Sequence, residues 1–467
     1  WASEQKYIKD GKDVIDSRFI VNLADYWGNR SDVDATPRSS DGQLLFLMEM
    51  VGKMKPSSSN GIGSRIASVH NGSSLFTGDA GGGESNIRRY IIENDLLDAI
   101  IQLPNNLFYN TGITTYIWLL SNNKAQNRKG KVQLIDANNL YSKLRKNLGD
   151  KNCELEPKHI AKIMEVYSKF ETYDDEIDGK KISSKIFDNS DFGYYKVQIE
   201  RPKRLKAQFR DDLIETLKYD KTLEEAMIWC EQEYKEECYN DLTKYKKAIE
   251  EHLDKNDIEL NTKQLKSLLS KELWKKHKML VDTAKLLKEK IGTTTYDDFN
   301  IFKEKVEKIL KEHKLSLSAS EKNMILNAVS WYDETAQKVI KKISKISGDK
   351  LEKLCENFGC EENELCDFGY YPTGKKDEFV EYESDTDLRD SENIPLKDDI
   401  YKYFLKEVKP HVQEAWINLD STKIGYEISF NKYFYTHKPL RSLEEVGKDI
   451  VELENASDGL IKEILGL

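Results

Sequence analysis

Between residues 43 and 137 the sequence alternates helical and strand-like apolar segments, and this order leaves few folds open. "QLLFLMEMVGKM" (43–54) is apolar on nearly every side, as a buried helix requires, and "RIASVH" (65–70) reads as a short strand. A glycine-rich turn precedes a helix whose inner side carries Ile87, Tyr90, Ile91 and Ile92. "LLDAIIQL" (96–103), "ITTYIWLLS" (113–121) and "KVQLIDA" (131–137) are rich in β-branched and aromatic residues and predict three further strands. Helix, strand, helix, strand, strand, strand is the order of the back half of an α/β sheet, here expected to end in an antiparallel edge hairpin. Residues 1–40, with "GNRSDVDATPRSSDG", read as irregular.

The glycine run in "GDAGGGESNIRR" (78–89) raises the question of a phosphate site, because helix starts offer free N–H groups and a positive dipole end. A Walker loop needs lysine and a hydroxyl residue after its last glycine, whereas Glu84 stands here. A carboxylate would repel the phosphate, so the turn reads as a crossover, with the Ser85 hydroxyl available to cap the following helix. Arg88 and Arg89, one turn on, are candidates for contacting nucleic-acid phosphate; the alternative is two solvated helix charges. The loop "LPNNLFYNTG" (103–112) sets Phe108 and Tyr109 among Asn and Gly. Either the aromatics stack on a planar ligand such as a base, or they plug the underside of the sheet.

At 467 residues the chain is long enough for several domains. Residues 1–150 form the first, 151–346 a lysine- and glutamate-rich helical extension, 347–395 an acidic connector, and 396–467 a C-terminal region. Within the extension, Phe299, Phe302, Val306 and Ile309 share one helical face, and Ser318 with Glu321 forms a capping box. The net charge of −10 comes from the tail, since residues 351–467 carry 14 Lys+Arg against 27 Asp+Glu, while residues 1–150 carry 18 against 16. A nucleic-acid surface on the first third is therefore compatible with overall acidity, and one on the tail is not. Six cysteines without paired Cys-x-x-Cys knuckles predict reduced thiols, no metal, and a reducing cytoplasmic compartment. No apolar run approaches the roughly 18 residues of a membrane span. The chain begins at Trp1 rather than Met, so part of the gene product is expected to be missing.

The clearest periodicity closes the chain. Leu443, Val446, Ile450, Leu453, Leu460, Ile464 and Leu467 follow three-four spacing, predicting a coiled-coil-like helix over 442–467. So narrow a stripe wants a partner helix, within this chain or on another subunit.

Four stretches carry a resemblance. "ADYWGNRSDVDATPRSSDGQLLFLMEMVGKM" (24–54), the block from "RIASVHNGSSLFTGDAGGGESNIRRY" to "ITTYIWLLS" (65–121), "LRDSENIPLKDDIYKYFLKEVKPHVQEAWI" (388–417) and "KIGYEISFNKYFY" (423–435) resemble the methylation (M) subunits of type I restriction-modification systems. Between about 140 and 380 the likeness is patchy, as in "DFGYYKVQIERP" and "SWYDETAQKVIKK". The resemblance implies a Rossmann-like methyltransferase sheet that moves a methyl group from S-adenosylmethionine to the exocyclic nitrogen of adenine in double-stranded DNA. It also implies base flipping, a specificity (S) subunit on which the C-terminal region docks, and a restriction (R) subunit in the full complex.

The sequence departs from the family in one respect. Its nine prolines are never adjacent, so the Asn-Pro-Pro-aromatic tetrad that holds the target amino group is not present, nor is a strand-plus-glycine cofactor loop. In the family both precede the matching blocks, so this chain is expected to be inactive alone. The resemblance places Phe108 where the base-stacking aromatic of adenine methyltransferases lies, with Asn110 and Thr111 in the same loop, and it favours an intersubunit role for the Leu443–Leu467 stripe. The competing reading is a non-catalytic helical assembly module that binds a partner.

Overall fold

The computed structural model describes residues 6–9, 12–57, 61–435 and 442–465. The chain divides into two compact units, one of residues 1–195, 395–397 and 423–467, the other of 196–394 and 398–422. The division does not follow the expected boundary at 150, because further strands extend the first unit and its closing segment returns from the far end of the chain.

In the first unit, β1 (Lys6–Lys9) pairs with β2 (Lys12–Ile15), and β3 (Ile20–Ala24) with β4 (Arg30–Asp34), so the start of the chain holds two hairpins rather than irregular backbone. Then come α1 (Gln43–Gly52), β5 (Arg65–Asn71), α2 (Ser73–Phe76), α3 (Gly83–Glu93), β6 (Leu97–Gln102), β7 (Thr115–Ser121) and β8 (Lys131–Asp136). A short hairpin, β9 (Ser142–Leu148) with β10 (Lys151–Glu154), and α4 (Pro157–Lys169) lead to β11 (Tyr173–Ile177) and β12 (Lys180–Asp188).

Six strands form one mixed sheet in the order β11-β12-β8-β6-β7-β5. β6 and β8 are parallel, with Ala99 opposite Gln133 and Gln102 opposite Asp136. β7 runs antiparallel to both β5 and β6, so the antiparallel strand expected at the edge lies inside the sheet. The antiparallel edge hairpin is instead β11–β12, within the stretch expected to be helical. Every residue of β6 is buried, as a strand covered on both faces must be. The core joins Leu45 and Leu47 of α1, Ile87 and Ile91 of α3, Ile100, Trp118 and Leu134 of the sheet, and Tyr426, Ile428 and Phe430 from the closing segment.

α3 is buried on more than its isoleucine side. Arg88 is fully buried: its Nε donates to the Tyr426 carbonyl at 2.6 Å and its Nη1 to the Ser74 carbonyl at 3.1 Å. Burial pulls its pKa down to about 10. Arg89, also buried, donates to Glu93 Oε1 at 2.7 Å and to the Ala24 carbonyl at 2.8 Å. These placements correct the expectation of two phosphate contacts, since neither guanidinium reaches the surface. Ser85 is likewise no cap: its Oγ accepts from the Tyr426 N–H at 3.0 Å, and the helix start at Gly82 has no side-chain cap.

The glycine-rich turn is shaped by close packing. A Cβ on Gly83 would stand 1.8 Å from the Thr36 carbonyl oxygen, and Gly78 and Gly81 have φ of 92° and 77°. Glu84 points inward, its Oε1 accepting from the Arg38 N–H at 3.1 Å.

The second unit contains the expected helices, including Lys271–Ile291, Phe299–Glu312 and Ala319–Ala328, the last with its Ser318–Glu321 capping box. Phe302, Leu280, Ala284 and Val306 pack with Phe209 and Ile325, while Met227, Cys230, Ile249 and Trp274 form a separate cluster. Residues 347–395, the stretch expected to be an acidic connector, include a helix, Asp349–Phe358, and strands such as Glu378–Tyr382.

Replacing Arg88 by Ala leaves two buried carbonyls without a donor and opens a cavity, and should lower the unfolding free energy by about 3 kcal/mol. Urea unfolding measures this, and the exposed Arg65→Ala should change stability by less than about 0.5 kcal/mol.

Candidate functional site

β5, β6 and β8 all point the same way, and their C-terminal ends, at Asn71, Gln102 and Asp136, share one edge of the sheet with the start of β7 at Thr115. Ligands of open α/β sheets bind outside the carboxyl ends of parallel strands. The loop 103–114 connects β6 to β7 along this edge.

The loop is ordered by its own backbone and by the β9–β10 hairpin. The Leu103 N–H donates to the Thr115 carbonyl at 2.9 Å, and Phe108 and Thr111 face each other in an isolated bridge. Asn106 adopts φ of 57°, a left-handed turn that Asn tolerates. Its side chain donates to the Asp150 carbonyl at 3.0 Å, its own carbonyl accepts from the Asn152 N–H at 3.1 Å, and the Asp150 N–H donates to the Tyr109 carbonyl at 2.9 Å. Held this way, Phe108 is 39% exposed and Tyr109 59% exposed. The aromatics therefore stand at the surface instead of plugging the sheet. Asn110 is exposed and Thr111 half-buried on the same turn, its Oγ1 accepting from the Ile113 N–H at 3.4 Å.

Beside the loop lies an open cleft of about 500 Å³, lined by Asn71, Ser73, Asn105, Ile113, Thr114 and Tyr116. One rim is a polar network that the sequence reading did not anticipate. Gln43 Nε2 lies within hydrogen-bond distance of Asp41 Oδ2 (2.8 Å), Asn71 Oδ1 (2.8 Å) and Ser73 Oγ (2.7 Å), among which its two hydrogens are shared, and Ser73 Oγ donates to Asp41 Oδ2 at 2.8 Å. Burial pushes the Asp41 carboxyl up, but the hydrogen bonds from Ser73 and Gln43 outweigh it and hold the pKa below its usual value. Asp41 is thus an anionic acceptor fixed at the rim. Only the short polar spacing of Asp41 and Gln43 before an apolar helix hinted at it in the sequence.

Beneath the rim, burial pulls the His70 imidazole down to about 4, leaving it neutral at pH 7. Its ring lies 5.6 Å from that of Trp118, and neither ring nitrogen finds a hydrogen-bond partner among the described residues. Burial also raises the carboxyl pKa of Asp136 at the same sheet edge. A second cleft of about 240 Å³ shares Gly72 and Tyr116 with the first and is walled by Phe76, Phe430 and Lys432.

Of the sequence-predicted residues, Phe108, Asn110 and Thr111 lie together at this edge, and Arg88 and Arg89 do not. On the helix Leu443–Leu465, Leu443, Val446, Ile450 and Leu453 are exposed, Leu443 at 92%. Leu460 and Ile464 fall outside the residues whose side chains are described, and Leu467 outside the described chain. Among the described residues no group of three metal-ligating side chains converges, and no helix is long and apolar enough to cross a membrane.

The N-6 DNA Methylase family matches residues 21–212, past the expected boundary at 150 and through β11 and β12. The type I restriction enzyme MjaIX methylase subunit of Methanocaldococcus jannaschii is 39% identical over 97 residues, covering 21% of this chain and 17% of that protein. The HindI methylase subunit of Haemophilus influenzae is 32% identical over 154 residues, covering 32% of each. Aligned segments thus span a third or less of these relatives' length. A type I methyltransferase subunit of known structure from Streptococcus thermophilus is 25% identical, covering 36% of this chain and 29% of its own, with a TM-score of 0.26. Residues 21–212 thus match the N-6 DNA Methylase family, and parts of the chain are similar to the methylase subunits of type I restriction enzymes.

Proposed function

We propose that this chain is part of a site-specific DNA adenine-N6 methyltransferase, the modification subunit of a type I restriction-modification complex acting in the cytoplasm. In this reading the sheet is the C-terminal half of a Rossmann-like methyltransferase domain, and the loop 103–114 receives an adenine flipped out of the duplex. The observation that carries it is the exposure of Phe108 and Tyr109 on a braced loop at the sheet edge where ligands bind. Phe108 stacks on the base, and Asn110 and Thr111 line the turn around it. A base offers its flat face to any aromatic, so stacking holds it while leaving its amino group free to be aligned for transfer.

The methyl donor would be S-adenosylmethionine, which supplies an electrophilic sulfonium methyl when bound. The glycine-rich turn 78–83 does not fit it, because Glu84 and the Thr36 backbone fill the space inside that turn. The Asn-Pro-Pro-aromatic tetrad is not in this sequence either, so the chain alone is proposed to be inactive.

The exposed stripe Leu443, Val446, Ile450 and Leu453 supports coiled-coil docking on the helical spacers of a specificity subunit, with a restriction subunit joining the full complex. The same stripe favours the second reading, a non-catalytic assembly module, if the sheet edge proves to be idle.

Phe108→Ala in the assembled methyltransferase should cost about 1–3 kcal/mol of target-base stacking, read as slower methyl transfer and weaker fluorescence of 2-aminopurine at the target position. Turnover and base affinity equal to the parent's would leave the assembly reading. Leu443→Asp with Ile450→Asp should abolish co-purification with the specificity subunit while leaving the melting temperature of the chain unchanged. A complex that survives both charges would remove this helix from the interface.

A further inference from the structure

The β9–β10 hairpin, "SKLRKNLGDKNCE" (142–154), carries four cations against two acids. Lys143, Arg145 and Lys146 are exposed, and none forms an ion pair or side-chain hydrogen bond among the described residues. Several other cations of this unit do meet carboxylates, among them Lys124 with Asp95, Arg128 with Asp98, and Lys162 with Asp175 and Glu165. An unneutralised cluster costs mutual repulsion, which an incoming polyanion relieves.

The cluster is fixed next to the base loop. Besides the bonds between Asp150, Asn152, Asn106 and Tyr109, Cys153 Sγ donates to the Asn105 carbonyl at 3.1 Å, and Lys151 Nζ lies 5.3 Å from the Tyr109 ring centre. Gly149, with φ of 64°, makes the tight turn, and a Cβ there would stand 2.6 Å from the Tyr109 carbonyl oxygen. The ladder is interrupted: Cys153 pairs with Lys143 and Lys151 with Leu148, so Arg145 and Lys146 lie on a bulged stretch of β9. Lys151 sits opposite Leu148 at the turn end of the hairpin. A short two-stranded ribbon that displays exposed cations suits the phosphate rows that flank a duplex groove.

We propose that the β9–β10 hairpin is an arm that grips the phosphates of double-stranded DNA beside the target-base loop. The inference rests on the DNA-binding reading above and replaces Arg88 and Arg89 as the source of phosphate contacts. Its function is positional: the arm fixes the duplex so that one nucleotide lies within reach of Phe108.

The test titrates the full chain with a fluorescein-labelled duplex of about 30 base pairs while salt rises from about 50 to 200 mM, since each phosphate contact adds about 0.9 to the slope of log affinity against log salt. The variant K143A/R145A/K146A should have a slope shallower by about 2–3 and an unchanged melting temperature. A control with equal charge loss on exposed lysines of the other unit, K247A/K263A/K266A, should keep the parent slope, and K143R/K146R should keep it as well. Parent binding with an unchanged slope in the hairpin triple variant would overturn the arm and leave the DNA-binding reading standing. A parent chain that binds no duplex at the lowest salt, or binds single strands in preference, would overturn both.

Discussion

A single buried guanidinium ties the first unit together. Arg88 joins the carbonyl of Ser74, at the start of the crossover after β5, to that of Tyr426, which lies 338 residues after Arg88 in the chain. Taking a charge out of water is costly unless hydrogen bonds compensate, so this position tolerates only an arrangement in which both carbonyls reach it. Ser85 Oγ accepts from the Tyr426 N–H, and the Ile428 N–H donates to the Leu75 carbonyl at 2.8 Å, fixing the same segment from two further sides. The consequence is topological. Tyr426, Ile428 and Phe430 complete the core of a sheet whose strands lie between residues 65 and 188, so the core closes only after the second unit has been passed.

That closure explains what the sequence could and could not reveal. The elements α1, β5, α3, β6, β7 and β8 were legible because each carries its own period of apolar residues. The β11–β12 hairpin was not, because half of its strand residues are charged, yet a turn signal was there: Asp178 and Gly179 both adopt positive φ, as a tight hairpin turn demands. The burial of Arg88 and Arg89 is not legible in the sequence, because an arginine beside an isoleucine face looks like a solvated charge. Only the returning segment, distant in sequence, reveals that the helix is buried on that side as well.

The candidate site shows the same division. The exposed aromatics of "LPNNLFYNTG" were legible as a chemical oddity, since Phe and Tyr among Asn and Gly have no helix or strand to join. Their bracing was not, because it depends on backbone hydrogen bonds from a hairpin some forty residues on. Nor do the hairpin's charges stand out in the sequence, since lysine and arginine in a polar stretch ordinarily signify a solvated surface. What distinguishes them is position: they lie at the sheet edge, without carboxylate partners, against the loop that displays Phe108 and Tyr109.

The central claim is that this edge meets a base drawn out of double-stranded DNA. Photo-crosslinking tests it most directly, with the assembled methyltransferase bound to a duplex carrying a photoreactive purine at the target position and the attached peptide identified by mass spectrometry. The account predicts attachment within the loop 103–114, at Phe108 or its neighbours on the turn. Attachment confined to residues away from this edge, in a complex that still methylates its site, would contradict it.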